Sequence, residues 1–156
     1  MSKTFKEIIN GNLHNEPEIM TPREGGGYEG WFFGHFIKEG SKFSQCHTKD
    51  FEIKWGVHPK GKQKKRPGYN KKARTFTILI HGKFLVTFFR DNKKEEFLLE
   101  KAGDYILYPP KISHTWLAKE DSLTFTIRWP SVPNDQKRVS KKLISICDGG
   151  GLDRGF

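Results

Sequence analysis

The sequence predicts an all-β domain, an antiparallel sandwich or barrel with short terminal helices. Short predicted strands recur every eight to twelve residues or so between residues 51 and 129, and no helical pattern separates them. Several of these strands alternate apolar and polar residues, as a pleated strand with two different faces requires. The 156 residues are only 35% hydrophobic, but they include 13 Phe, 4 Trp and 4 Tyr, whose large side chains suit a compact β-rich core.

The predicted strands are bounded by turn residues. In chain order they cover residues 31–37, 51–58, 74–80, 83–89, 97–100, 104–108, 114–118 and 123–129. His81 and Gly82 separate two of them and are typical of a tight hairpin turn. The stretches RDNKKE and KEDS predict further turns, and PPKIS predicts a rigid loop.

The termini are expected to carry short helices. KTFKEIINGN places Phe5, Ile8 and Ile9 on one side of a helix that stops at Gly11. QKRVSKKLISI (136–146) predicts a second helix near the C-terminus, before a frayed tail. The expected division is an N-terminal arm (1–30), a barrel (31–133), and a C-terminal helix and tail (134–156).

Residues 103–118 resemble the second conserved motif of the cupin superfamily. Gly103, Pro109 and His114 have the spacing of that motif, whereas Lys111 and Ala118 stand in place of its second Gly and its Asn. With flanking pieces such as GHFI and TIRWPSVP, the resemblance extends over roughly residues 31–133 and is to small bacterial cupins. It implies a cupin-type jelly-roll β-barrel and a homodimer.

The first cupin motif is less complete. Gly82 fits its Gly, but Thr75 stands where its Glu belongs, and Gly68 to Lys71 stand where its His-x-His pair belongs. The resemblance implies a metal site of three His and one carboxylate, a donor set that suits Fe(II), Mn(II), Ni(II) or Zn(II). Only His114 is in place, and His58 comes about ten residues too early along the chain. A bound divalent metal is therefore disfavoured, and no cofactor is expected.

In a barrel, alternate residues face inward, and one face of several strands here is polar. That face carries Lys54 and His58, then Thr75 and Thr77, and later Thr124, Thr126 and Arg128; the opposite, apolar faces of the same strands are expected to form the core. Arg128 and Lys54 suit a phosphate or carboxylate, and Trp116 or Tyr108 suits stacking on a base or sugar ring. The candidate ligand-binding residues are Lys54, His58, Lys64, Arg66, Tyr69, Arg74, Thr77, Tyr108, His114, Trp116 and Arg128.

Positive charge is concentrated in one part of the chain. The net charge is +10, and HPKGKQKKRPGYNKKAR (58–74) contains eight Lys or Arg and no acid. Such a segment attracts anions. It is expected to be a loop that closes over the mouth of the barrel and brings Lys64, Lys65, Arg66 or Arg74 towards a ligand. A solvated basic loop without a ligand is the alternative.

These observations favour a non-enzymatic protein that captures a nucleotide or a sugar phosphate in a basic barrel pocket. The alternatives are a metal-dependent cupin dioxygenase or isomerase using His58 and His114, and a metal-free enzyme like the sugar-nucleotide epimerases, with His58 or His114 as base and Tyr108 as acid. Specific nucleic-acid binding is disfavoured, since Tyr69 is the only aromatic residue among the cations of the basic segment.

The remaining features point to an intracellular setting. Cys46 and Cys147 are too few for a disulfide framework and are expected to be reduced thiols. No signal peptide or membrane-spanning run is evident, so a cytoplasmic protein without a membrane partner is expected.

Overall fold

The computed structural model describes residue 5, residues 7–20 and residues 29–139. Ten strands dominate this part of the chain: β1 (Trp31–Phe33), β2 (Glu52–His58), β3 (Gln63–Asn70), β4 (Arg74–His81), β5 (Phe84–Arg90), β6 (Lys93–Leu99), β7 (Tyr105–Tyr108), β8 (Ser113–Ala118), β9 (Ser122–Trp129) and β10 (Gln136–Arg138). One short helix, α1 (Pro17–Met20), and two single 3₁₀ turns, Leu13–Asn15 and Ser44–Cys46, accompany them. No helix in these residues is long and apolar enough to cross a membrane.

The strands form two antiparallel five-stranded sheets that face one another. The first sheet has the order β1-β2-β9-β4-β7, and the second has the order β10-β3-β8-β5-β6. Along the chain, strands after β3 switch repeatedly between the sheets, which is the connectivity of a jelly-roll barrel. The all-β prediction and its jelly-roll architecture are confirmed.

The predicted hairpin at His81 and Gly82 is wrong. β4 lies in the first sheet and β5 in the second, so the two residues form a corner and not a turn between paired strands. Gly82 has φ +98, and a Cβ there would collide with the carbonyl oxygen of Asp121. Only glycine fits this crossing. The hairpin in this region is the one between β5 and β6, where Asp91 and Asn92 adopt φ 51 and 60.

The basic segment is not a loop. Gln63–Asn70 forms β3, which pairs with β8 on one side and β10 on the other, so its cations project from a fixed backbone. The register shifts between Lys64 and Gly68, an irregularity that a β-bulge produces. The segment is therefore part of the barrel wall.

The terminal helices differ from the prediction. Residues 7–12 are not helical, and Phe5, Ile8 and Ile9 are exposed; the short α1 lies further along. Gln136–Arg138 is strand β10, and residues 140–156 lie outside the described part. Asp135 explains this placement, because its buried carboxylate accepts hydrogen bonds from the backbone nitrogens of Lys72 and Ala73 and ties the segment to β3 and β4.

The core also lies elsewhere than expected. The apolar faces of β2, β4 and β9 are partly buried, and Ile80 and Trp129 are exposed on the first sheet's outer side. The principal core consists of Leu79, Phe84, Val86, Phe88, Leu99, Ile106 and Ala118. A second cluster, Ile19, Ile37 and Phe43, anchors the segments around α1 and the loop after β1. The predicted strand 31–37 is correspondingly shortened to Trp31–Phe33.

Candidate functional site

A cavity of about 650 Å³ opens between the two sheets. Its walls come from strands of both sheets, including the edge strand β10 of the second sheet. The lining residues are Trp31, Lys54, His58, Gln63, Lys64, Lys65, Arg66, Gly68, Thr75, Thr77, Phe84, Val86, Tyr108, His114, Trp116, Thr124, Thr126, Arg128, Gln136, Lys137 and Arg138. This volume lies within the range of ordinary small-molecule sites.

The cavity is strongly cationic. Seven of the lining residues are Lys or Arg, and none of the lining residues is Asp or Glu. Three cations, Lys54, Lys64 and Arg128, project from strands on both sides of the interior, whereas Lys137 and Arg138 come from the short β10. Charges of one sign in a concave, partly desolvated site reinforce each other's field.

Lys54 is held against aromatic rings. Its Nζ lies 5.8 Å from the ring centroid of Trp31 and 5.9 Å from that of Trp116. Burial, then the charges of Lys62 and Arg128, lower the pKa of Lys54 to about 8. Within the described chain Lys54 forms no salt bridge, and the faces of these two rings stabilise its charge.

Lys64 reaches the cavity from β3 in the other sheet. Its Nζ lies 3.5 Å from His114 Nε2, and no carboxylate of the described residues pairs with it. Burial, followed by the charges of Arg128, Lys54 and Arg138, lowers the pKa of Lys64 to about 7. Near neutral pH this side chain is therefore divided between the ammonium and the neutral amine.

Arg128 differs from these lysines because it has a counterion behind it. Its Nη1 donates to Glu52 Oε2 at 3.3 Å, and its guanidinium lies 4.5 Å from the ring centroid of Trp31. Glu52 is buried and also accepts from Ser131 Oγ at 3.0 Å. Arg128 thus pairs with Glu52 across β9 and β2, and it also lines the cavity.

His114 lies between a tyrosine and a lysine. Its Nε2 is 3.4 Å from the hydroxyl of Tyr108 and 3.5 Å from Lys64 Nζ, and its Nδ1 is 3.3 Å from the carbonyl oxygen of Ile112. A carbonyl only accepts, so Nδ1 carries the proton and Nε2 is the acceptor in the neutral ring. Burial and then the charge of Lys64 lower the pKa of His114 well below its usual value, which keeps the ring neutral.

The neighbouring polar groups are buried too. His58 Nε2 lies 3.1 Å from Thr124 Oγ1, and its ring packs against Phe84 and Trp116. Burial, then Lys54 and Lys62, lower the pKa of His58 to about 3. Burial raises the pKa of Tyr108, opposed by the charge of Arg128. At neutral pH the interior thus offers neutral imidazoles and a protonated phenol beside its cations.

The donor set does not fit the divalent metal that the resemblance to the cupin motifs implies. Among the described residues no group of three His, Cys, Asp or Glu side chains is arranged around a common point. His114 Nε2 faces an amine and a hydroxyl, and His58 Nε2 faces a threonine. Cations already surround both rings and would repel a metal ion.

Most candidate residues named from the sequence meet at this cavity. The exceptions are Tyr69 and Arg74, which do not line it; Arg74 is exposed at the start of β4, opposite Trp129 on β9. Because β3 is a strand, its residues alternate, and only some of its side chains face inward.

Sequence reasoning missed Trp31 and the β10 cations. Trp31 pairs with Lys54 in the register of β1 and β2, a pairing that alternation within either strand does not specify. The sequence pattern predicts a helix for Lys137 and Arg138, whereas they lie on strand β10. The buried Asp135 just before them, with the Pro-rich WPSVPND stretch, is the signal that favours an anchored return of the chain.

Comparisons with solved structures show the fold. An uncharacterised protein with a double-stranded β-helix domain from Klebsiella pneumoniae matches with a TM-score of 0.50 at 16% identity, over 60% of this chain and 78% of its own. A variant of oxalate decarboxylase from Bacillus subtilis matches with a TM-score of 0.50 at 15% identity, over 65% of this chain and 29% of its own. A cupin superfamily protein from Desulfitobacterium hafniense matches with a TM-score of 0.45 at 15% identity, over 53% of this chain and 69% of its own.

The fold is that of the cupins, also called the double-stranded β-helix. The chain spans 56% of the length of Peruvianin-I, a cysteine peptidase from Thevetia peruviana latex that it also matches, with a TM-score of 0.49 at 20% identity over 58% of this chain. No protein-family model matches the chain, and no curated protein matches it. At these identities the likeness concerns the backbone, and the chemistry depends on the side chains described above.

Proposed function

We propose that this chain, which has the cupin fold, binds a small organic anion, a sugar phosphate or a nucleotide, in its barrel cavity. The observation that carries the proposal is the charge of the cavity wall: seven Lys or Arg and no Asp or Glu line it. Lys54 and Lys64 are partly buried and form no salt bridge within the described chain, so an anion that enters relieves the repulsion between them and Arg128.

Geometry supports the same ligand class. Lys54 and Lys64 come from opposite sheets, and Arg128 lies close enough to both to lower their pKa values. An anionic group between them accepts charge-assisted hydrogen bonds from two ammonium groups and a guanidinium. Arg128 keeps part of its donor fork for a ligand, because the hydrogen bond to Glu52 uses Nη1.

The rest of the cavity suits the organic part of such a ligand. Trp31 and Trp116 present aromatic surface on which a sugar ring or base stacks. Thr77 and Thr126 hydroxyls, 2.9 Å apart, and Thr124 offer hydrogen bonds to sugar hydroxyls. A few polar groups set in apolar walls are the usual composition of small-molecule sites.

Thermal unfolding with a ligand panel tests the proposal. Sugar phosphates and nucleotides are expected to raise Tm in proportion to the logarithm of their concentration, while the unphosphorylated sugars and nucleosides leave it unchanged. Lys54→Met is expected to weaken the effect at least about tenfold in apparent Kd. Lys119→Met, at an exposed position outside the cavity, is the matched control and keeps the wild-type response.

Two results would contradict the proposal. One is a panel in which no phosphate-bearing compound moves Tm. The other is an equal loss of response in Lys54→Met and Lys119→Met, because binding would then follow net charge and not the cavity.

The alternatives gain less support. The metal-dependent reading lacks its donor set, as described above. In the epimerase-like alternative, His58 or His114 is the base and Tyr108 is the acid. The Tyr108 hydroxyl lies 3.4 Å from His114 Nε2, so these two groups contact each other, and His58 Nε2 faces Thr124.

A further inference from the structure

Lys64 differs from the other cavity cations in what its terminal atom contacts. Its Nζ lies 3.5 Å from the Nε2 of His114, an imidazole nitrogen that acts as an acceptor because Nδ1 donates to the carbonyl of Ile112. Lys54, by contrast, has its ammonium over indole rings, and Arg128 has a carboxylate behind it. Lys64 is therefore the cavity cation whose proton has a neutral base beside it.

The backbone of β3 makes room for this contact. A Cβ added at Gly68 would lie 3.2 Å from Lys64 Nζ and 2.8 Å from the carbonyl oxygen of Lys137. Gly68 is paired with His114 across β3 and β8, so the bare backbone there lets the lysine extend to the histidine. The register shift between Lys64 and Gly68 sets the lysine side chain at this point.

The surroundings favour the neutral amine. Burial and the charges of Arg128, Lys54 and Arg138 hold the pKa of Lys64 near 7. A desolvated lysine next to other cations is a recognised way to make an amine nucleophilic at neutral pH. A phosphate ester whose phosphate lies against Lys54 and Arg128 presents its carbonyl to Lys64 and leaves that amine unprotonated. A phosphate that pairs with Lys64 itself, as that of glycerol phosphate can, favours the ammonium form instead.

We infer that Lys64 forms an imine with a carbonyl-bearing phosphate ester, an aldose or ketose phosphate, held in the cavity by Lys54 and Arg128. This inference rests on the proposed function, which it narrows to one substrate class. Nucleotides, which lack a reactive carbonyl, are then ligands without being substrates.

The reaction balances without a further reagent. The lone pair of Lys64 Nζ attacks the carbonyl carbon, the C–N bond forms, and the C=O π electrons move to oxygen. His114 Nε2 takes a proton from the nitrogen, and the Tyr108 hydroxyl, 3.4 Å from the same Nε2, completes a path by which the proton reaches the oxygen. Loss of water then gives C=N, so amine plus carbonyl become imine plus one water.

Reductive trapping tests the inference on the intact protein. Dihydroxyacetone phosphate is the probe, borohydride supplies the hydride that converts the imine into a stable secondary amine, and mass spectrometry of peptides locates the modified lysine. Lys64 is expected to react at least about tenfold faster than any exposed lysine near neutral pH, because a far larger fraction of it is unprotonated. Lys64→Arg keeps the charge and is expected to lose this labelling.

Glycerol phosphate, which has the phosphate but no carbonyl, separates the two proposals. It is expected to raise Tm and to slow the labelling of Lys64 by competition. Labelling spread evenly over the lysines, with Tm still raised by glycerol phosphate, would overturn the imine and leave anion capture intact. If glycerol phosphate neither raises Tm nor slows the labelling, anion capture itself is overturned. If Lys64 is still labelled selectively in that case, the result supports the imine alone.

Discussion

The affinity of the cavity for glycerol phosphate should fall as pH rises, because its lysines take up protons when the anion binds. In the free protein the pKa values of Lys64 and Lys54 are lowered to about 7 and about 8. An anion between them stabilises the ammonium forms and raises both values. Affinity is therefore highest below about pH 7 and is lost as pH rises through the two free-protein values.

The size of the effect follows from those two values. Between about pH 6.5 and about pH 8.5, deprotonation of the free Lys64 accounts for a loss of about 25-fold and that of Lys54 for about fourfold, so affinity falls about 100-fold in all. The phosphate itself becomes more fully dianionic over this range, which acts in the opposite direction. A fall in affinity thus cannot come from the ligand.

Isothermal titration calorimetry measures this directly. Titrations in buffers of different ionisation enthalpy should show proton uptake, and Lys64→Arg, whose charge does not titrate here, should retain only the roughly fourfold loss due to Lys54. An affinity that is flat or that increases with pH in the wild type would refute the reasoning. So would a pH dependence in Lys64→Arg as steep as that of the wild type.

Two further predictions concern stability. Lys64→Met should stabilise the free protein by about 1–3 kcal/mol near pH 7, since it removes a charge whose burial the fold disfavours. The gain should shrink as pH rises above 7, because the wild-type amine is then neutral in the folded state. Urea unfolding at pH 7 and at a higher pH measures both effects, and a destabilised variant would contradict the prediction. Glu52→Gln should destabilise the protein by about 3–5 kcal/mol, because it leaves Arg128 without its counterion in a position largely shielded from solvent. The control Glu96→Gln disrupts a surface pair with Lys94 and should change stability by less than about 1 kcal/mol. Equal effects of the two substitutions would contradict the role given to Glu52.

The strands could be predicted from the sequence because alternation is a local property. The stretches 51–58, 114–118 and 123–129 correspond closely to β2, β8 and β9. Which strands pair is not local, so the corner at Gly82 was taken for a hairpin: the collision that requires glycine there involves Asp121, far along the chain. The basic segment was missed as a strand for a related reason, since β3 is stabilised by β8 and β10 and not by its own alternation.

The residues of the candidate site, like the strands, could be predicted from the sequence only where the signal is local. Lys54, Thr77 and Arg128 followed from the polar face of their strands. The contact between Lys64 and His114 did not follow, because it depends on the register shift in β3 and on the missing side chain at Gly68. The prediction that the apolar faces of β2, β4 and β9 form the core is wrong, because a polar cavity occupies part of the interior. These apolar faces therefore lie on the outer side of the sheet, where Ile80 and Trp129 are exposed.

A crystal structure of the protein soaked with glycerol phosphate tests the central claim most directly. The account predicts phosphate density in the cavity, within hydrogen-bonding distance of Lys54 Nζ and of the Arg128 guanidinium, with Lys64 Nζ close enough to pair with it. Phosphate bound only at exposed lysines outside the barrel, or a cavity that holds solvent alone at saturating ligand, would contradict it.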